Sequence, residues 1–361
     1  MVNRGRIVIF GLAVFLNLVP VAEALDSLSV TGDFRYRQQV ILDEGKDTRG
    51  PTRFRVRFNV DAAVSPQLDV WFGLSSGPAD VEPGLRNQIL TGGFGAKHIW
   101  LNLAYLAWHP EWAEAWVLEL GKIPMPFYEA QKSELVWDNE VNPEGMILKY
   151  GSDSRPGAFA SLGHFVVEER KEGRDSKLWT VQAGYSKGPA QGTHVHACLG
   201  YYDYINAKGY APFFNPADRN GNSVNGDGCY AYDFNQLEAV AELEVKVGNV
   251  PVAATGHWVR NLAISSHNRG WLAGMGVGRC EKVPSLAFLY MFRRTERDAV
   301  IGIFPNADFA GGGTDNRGHE IRLSLLAAEG TTLGLSGILS ERTLASRRYY
   351  NKYQVEVSVR F

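Results

Sequence analysis

Strict two-residue alternation is the feature that most constrains this chain, and it is cleanest at the C-terminal end. Tyr353, Val355, Val357, Val359 and Phe361 fall on one face of an extended segment, and Gln354, Glu356, Ser358 and Arg360 on the other. In water, such an exposed terminal strand invites edge-to-edge pairing. In a closed membrane barrel it is a closing strand, with lipid on the Val face and water on the Glu/Arg face. An amphipathic strand of a soluble sandwich carries the same pattern, so this stretch alone leaves both open.

The alternation runs through the chain. Leu28, Val30, Gly32, Phe34 and Tyr36 oppose Ser29, Thr31, Asp33, Arg35 and Arg37. Phe54, Val56, Phe58 and Val60 then oppose Arg53, Arg55, Arg57 and Asn59. Further strands are expected near 68–74, 97–108, 116–123, 145–151, 158–167, 177–187, 193–204 and 233–247. The series continues at 251–261, 270–280, 285–297, 319–328, 331–341 and 349–361, about sixteen in all. Connections after even-numbered strands are short, as at 65–66, 188–192, 248–250 and 329–330. The long ones, 76–96, 124–144, 205–232 and 298–318, all follow odd-numbered strands. A sandwich has no reason to keep that parity, whereas an up-and-down barrel requires it. The expected fold is therefore all-β: a closed antiparallel transmembrane barrel with short periplasmic turns and long extracellular loops. Trp100, Tyr105, Trp108, Trp112 and Trp116, with Tyr349, Tyr350, Tyr353 and Phe361, suit the aromatic girdles of such a barrel.

Residues 1–24 read as a secretory signal. Arg4 and Arg6 precede an apolar run from Ile7 to Val19, and Ala22-Glu23-Ala24 offers a cleavage site. That run is too short for a comfortable membrane helix. Removing Arg4, Arg6 and Glu23 from 37 basic and 39 acidic residues leaves 35 against 38, a net charge of −3. So balanced a charge argues against a nucleic-acid partner. Residues 25–361 form one expected barrel domain. Three cysteines, Cys198, Cys229 and Cys280, cannot all pair, and the sequence leaves any pairing open.

A final strand that alternates in this way and ends in Phe resembles the C-terminal signature of bacterial outer-membrane barrels, which makes Phe361 the expected signal for the assembly machinery. The mature chain as a whole resembles the Gram-negative porins, within them the putative porin family. The more specific pieces are Trp137-Asp138-Asn139-Glu140-Val141-Asn142-Pro143-Glu144-Gly145, Tyr232-Asp233-Phe234-Asn235 and the run Gly311 to Glu320. The resemblance implies a Gram-negative outer-membrane location, lipid around the barrel, a homotrimer, and passive diffusion of small hydrophilic solutes and ions.

The sharpest chemical feature is an arginine ladder. Paired as a hairpin, the first two strands set Arg35, Arg37, Arg53, Arg55 and Arg57 toward the lumen as a fixed positive field. The connection 124–144 carries Glu129, Glu134, Asp138, Glu140 and Glu144 against only Lys132. In general porins the third long loop folds inward, so the resemblance implies that Glu134, Asp138 and Glu140 face the arginines across a constriction. A merely polar, water-filled lumen is the plainer account of the same arginines.

Other patterns carry less. Gly73-Leu74-Ser75-Ser76-Gly77 fits G-x-S-x-G, but here a strand runs into a loop where a hydrolase needs a strand-to-helix turn. Gly274, Gly276 and Gly278 lack the spacing and helix of a nucleotide loop. His194, His196 and Cys198 share a strand face with no further ligand, and the Asp218–Asp227 loop has Ser223 where a calcium loop needs glycine. No metal and no cofactor are expected. Nor does the sequence offer a nucleophile, base and orienting group at one depth, so a channel is favoured over an outer-membrane hydrolase. A plugged barrel serving as adhesin or anchor is the remaining alternative.

Overall fold

The computed structural model describes residues 27–79, 82–190 and 193–361. The signal read at 1–24 lies outside the described residues. The strands are β1 (Ser27–Asp43), β2 (Thr52–Ser65), β3 (Leu68–Gly77), β4 (Gln88–Ile89), β5 (His98–Trp108) and β6 (Trp116–Lys122). Then come β7 (Glu144–Tyr150), β8 (Gly157–Glu168), β9 (Ser176–Ala190), β10 (Thr193–Ile205), β11 (Phe234–Val247) and β12 (Val250–Asn261). The last are β13 (Arg269–Val277), β14 (Ser285–Thr295), β15 (Asn316–Ala328), β16 (Thr331–Arg342) and β17 (Arg348–Arg360).

β4 is a two-residue return of the loop after β3 onto β2, which leaves sixteen staves. Each pairs antiparallel with its chain neighbour, and β17 returns to β1 from Asp33↔Arg360 to Asp43↔Tyr350, closing the barrel. No helix among the described residues is long and apolar enough to cross a membrane.

The faces follow the alternation. Val56, Phe58, Tyr353, Val355 and Val357 stand exposed on the outer wall, while Arg55, Lys352 and Gln354 are buried on the inner one. Lipid covers the outer set, so their exposure is what a membrane barrel requires. Trp108, Trp112 and Trp116 gather at the short-turn end, with Trp116 tilted against Tyr150 at 5.1 Å. Tyr350 differs from the girdle expectation. It points inward, 3% exposed, with the Arg342 guanidinium 3.9 Å above its ring.

The strand ends differ slightly from the pattern. β13 stops at Val277 because Gly278 turns at φ 78°, and a side chain there would meet the Leu286 carbonyl at 2.2 Å. β1 runs on to Asp43, further than the hydrophobic run suggests. The three cysteines are all unpaired.

The lumen is not an empty tube. The loop 123–143, between β6 and β7, turns inward, and so does the loop 296–315 between β14 and β15. Phe127, Leu135, Val136 and Trp137 of the first join Val300 and Ile301 of the second, against Tyr202, Tyr204 and Met291 of the wall. The Trp137 ring sits 5.5 Å from Phe127, 5.5 Å from Tyr202 and 5.2 Å from Phe304. Truncating a tryptophan this buried costs roughly 3–5 kcal/mol. An apolar knot thus fills part of the lumen against β7–β14, and the water-accessible space lies beside it, between the loop 123–143 and the strands β11–β17, β1 and β2.

Candidate pore constriction

That space is a cavity of about 630 Å³ bounded by the inner faces of β1, β2 and β11–β17, by the loop 123–143, and by parts of the loops after β3 and β14. Arg35, Arg37, Arg55, Arg57, Glu134, Asp138 and Glu140 all line it. The hairpin register sets Arg35 opposite Arg55 and Arg37 opposite Arg53. Arg53 lies one step nearer the long-loop end, beside Ile89, and is not part of the cavity wall.

Like charges facing one another across a hairpin are unfavourable unless acids intervene. Here they do. Asp33 takes Arg55 at 2.6 Å and Arg57 at 2.5 Å. Glu140 is shared by Arg55 and, at 3.4 Å, by Arg35, which also donates to Asn87 Oδ1 at 2.6 Å. Arg37 spans Asp308 and Glu356, both at 2.7 Å, and Lys352 joins Asp308 at 2.9 Å. The ladder is therefore an interleaved array of ion pairs, with the two inward loops supplying Glu140 and Asp308.

The other loop acids are occupied within the loops. Glu134 accepts from Asn139 and, at 2.6 Å, from Asn306 Nδ2, with Arg322 at 3.9 Å. Asp138 accepts the amides of Glu140 at 2.8 Å and Ala307 at 3.0 Å. Burial alone would raise the Glu140 carboxyl, but the charges of Arg55, Arg35 and Arg57 outweigh it and hold the pKa below the usual range. Asp308 is likewise held well below, burial being overcome by Lys352 and Arg37. Burial, with Glu134 and Glu140 close by, pushes Asp138 well above, and burial with Glu134 and Glu238 does the same to Glu129. Loop acids thus divide into those held down by paired cations and those pushed up by burial beside other acids.

The tip of the loop is fastened to the wall by a buried relay. Ser133 Oγ lies 2.7 Å from His257 Nδ1, and His257 Nε2 lies 2.7 Å from Glu238 Oε1. The Tyr202 hydroxyl donates to Glu238 Oε2 at 2.7 Å. Gln182 hooks the loop backbone beside it, accepting from the Tyr128 amide at 2.8 Å and donating to its carbonyl at 3.3 Å. A serine, a histidine and a carboxylate in line resemble a hydrolytic set. Ser133 and His257 are fully enclosed, however, which leaves no room for a substrate at the hydroxyl and makes the relay a fastening. Ser75 and Ser76 of the G-x-S-x-G match are buried in β3, where Ser76 accepts the Val56 amide at 2.9 Å.

The sequence is matched by the family described as putative porin over residues 33–236 and 223–361. The chain belongs to the putative porin family. The closed sixteen-stave barrel agrees with that description. The solved structures similar to it are outer-membrane barrels. OprB of Pseudomonas putida is 10% identical, with a TM-score of 0.63 over 92% of this chain and 94% of that one. A triple mutant of Rhodopseudomonas blastica porin is 11% identical, with a TM-score of 0.50 over 93% and 100%. A loop-deletion mutant of Vibrio cholerae OmpT is 10% identical, with a TM-score of 0.50 over 93% and 100%. No curated protein matches the sequence significantly.

The family-specific segments now have physical roles in this putative porin. Trp137 anchors the apolar knot. Gly311, Gly312 and Gly313 turn at φ 75°, 89° and 86°, and a side chain at Gly313 would meet the Asn220 carbonyl at 2.7 Å. Glu320, at the end of that run, pairs with Arg322 at 2.5 Å and Arg293 at 3.2 Å. Arg322, Arg293, Asp308, Ser133, His257 and Glu238 were not foreseen. Only Arg322 left a signal, since it shares the polar face of its strand with Glu320.

Proposed function

We propose that the barrel is a water-filled channel for passive diffusion of small hydrophilic solutes and ions, with no enzymatic step. It is narrowed where the loop 123–143 meets the arginines of β1 and β2. The observation that supports this best is the polar cavity itself, bounded on one side by Arg35, Arg55 and Arg57 and on the other by loop residues Glu134, Asp138 and Glu140. Charged groups at close quarters around an aqueous space are how pores discriminate. The same reading takes residues 1–24 as a cleaved export signal, 25–361 as the barrel domain, and Phe361 as the assembly signal. The barrel would stand as a homotrimer in the outer membrane with its short turns in the periplasm. Single-channel recording in planar bilayers tests it. Stepwise conductance with a reversal potential in a salt gradient is expected, and folded protein that never conducts would overturn it.

A further inference from the structure

The tip of the inward loop is strained. Gln131, Lys132 and Glu134 adopt φ of 52°, 53° and 48°, in the left-handed region that side chains other than glycine and asparagine avoid. The bends splay successive side chains in different directions. Gln131 reaches β13, where its amide oxygen lies 2.5 Å from the place a Cβ on Gly276 would occupy. Ser133 reaches His257. Lys132, between them, is turned into the cavity.

The wall it meets is also cationic. Arg57, Arg322 and Arg360 line the same cavity from β2, β15 and β17. Register puts Arg57 and Arg360 on either side of Asp33, each directly opposite it across one strand. Asp33 is already engaged by Arg55 and Arg57. Among the described residues neither Lys132 nor Arg360 has an ion-pair or hydrogen-bond partner for its side chain. An ion pair presents only a dipole, whose field fades faster with distance than that of a single charge. The charged side chains of this cavity without an ion pair are therefore Lys132 and Arg360, Glu242 on β11 beside Gln131, and Asp138, whose carboxyl is taken by the amides of Glu140 and Ala307. Burial lowers the pKa of Lys132 while Glu134 raises it, and Arg322, Arg360 and Arg57 lower it again, as expected of a cation held among cations.

We propose that Lys132 and Arg360, flanked by the ion-paired Arg57 and Arg322, form a binding subsite for small oxyanions, phosphate or carboxylate, on the path through the lumen. It rests on the channel reading and gives it a substrate class. The strain at the loop tip holds the ammonium in place, and the guanidinium groups supply planar donors matched to a tetrahedral or planar oxyanion.

The test is chloride current through the full mature barrel in planar bilayers, with inorganic phosphate and acetate added in separate arms. Wild-type protein should prefer chloride to potassium at low salt and be blocked by phosphate in a saturable way. Block by acetate at comparable concentration assigns the site to oxyanions in general, and its absence assigns it to phosphate. Lys132→Gln should raise the blocking concentration about tenfold, the share of one charged hydrogen bond, whereas Lys132→Arg should keep it. Arg360→Gln should weaken block in the same direction and checks the site without touching the strained loop. Heat-modifiable mobility confirms that each variant is folded. A conducting wild type without chloride preference or block by either anion overturns the proposal and leaves the channel standing. So does a Lys132→Gln variant blocked like wild type. A folded wild type that does not conduct overturns the channel reading, and this subsite with it.

Discussion

Replacing Glu140 by glutamine should loosen the inward loop from the arginine wall without emptying the space it fills. Glu140 is the shared acceptor of Arg55 and Arg35, and none of the three side chains is more than 13% exposed. Neither guanidinium is left bare, because Arg55 keeps Asp33 at 2.6 Å and Arg35 keeps Asn87 at 2.6 Å. What is lost is mainly the charge on one close hydrogen bond, together with a weaker share of the bond from Arg35 at 3.4 Å. A hydrogen bond to a charged group is worth about 1.5–3 kcal/mol and the glutamine carbonyl returns about 1 of that, so the close bond loses about 0.5–2 kcal/mol and the two bonds together about 1.5 kcal/mol. At about 1.4 kcal/mol per decade, loop detachment should become roughly tenfold more frequent. Hydrogen exchange reads this directly. The amide of Asp138 donates to Phe304 O at 2.6 Å, that of Val141 to Asp138 O at 3.0 Å and that of Asn306 to Glu134 O at 3.2 Å. Those three should exchange roughly tenfold faster while strand amides of β1 and β2 keep their protection. Unchanged exchange in a folded variant would refute the idea that the Glu140 bridge holds the loop.

Other expectations concern acidity, the loop fastening, the seam and the orientation. Glu140 and Asp308 have lowered folded pKa values, so their contribution is present above the ordinary carboxylate range of about 4 and is lost as pH falls below it. Asp138 and Glu129, pushed up, act in the opposite sense and weaken the loop as pH climbs through their raised values. Protection factors of the loop amides, taken relative to the intrinsic exchange rate at each pH, should therefore be greatest at mildly acidic pH, and protection flat from about pH 3 to about pH 8 would contradict this account. Ser133→Ala leaves His257 Nδ1 without its partner, at a cost of about 1–3 kcal/mol. The open channel should become noisier, and wild-type noise would argue against a fastening. Deleting Phe361, or replacing Gly32 by valine, should lower the amount of heat-modifiable barrel, because a Cβ at Gly32 would lie 2.6 Å from the Phe361 ring. Trypsin on intact cells should cut at the exposed Arg219, whereas a tag placed at Pro66 should stay hidden, and surface labelling of that tag would reverse the orientation.

The barrel was legible in the sequence because lipid and water on opposite faces force a period of two on every stave. Even the weak segments 145–151 and 251–261 are strands, β7 and β12. Loop parity was legible for a similar reason, since turns between adjacent staves need few residues and only one end is free to grow. The interior was much less so. Trp137 and Phe304 are 167 positions apart by number, yet their rings pack at 5.2 Å, and no local pattern announces such a contact. The arginines were visible as a ladder, but Asp308 and Glu356 reach Arg37 from across the chain. Counting the acids of 124–144 as one negative face overlooked that buried carboxyls change protonation or find donors. Ser133, His257 and Glu238 lie on three separate elements, and only folding brings them into line.

The seam between β1 and β17 has a consequence for how the barrel comes to exist. Its register joins Asp33 to Arg360 and Asp43 to Tyr350, so the stave made first must wait for the stave made last. Until then both carry a row of unanswered amides and carbonyls, each worth several kcal/mol against hydrocarbon. A half-built sheet is therefore barred from the bilayer on energetic grounds, and insertion and closure have to proceed as one event. Gly32 and Phe361 sit at the end of that zipper, exchanging amide-to-carbonyl bonds of 2.8 and 3.1 Å. The ring of the final residue fits only because position 32 carries no side chain. Translation must therefore reach Phe361 before the cylinder can seal.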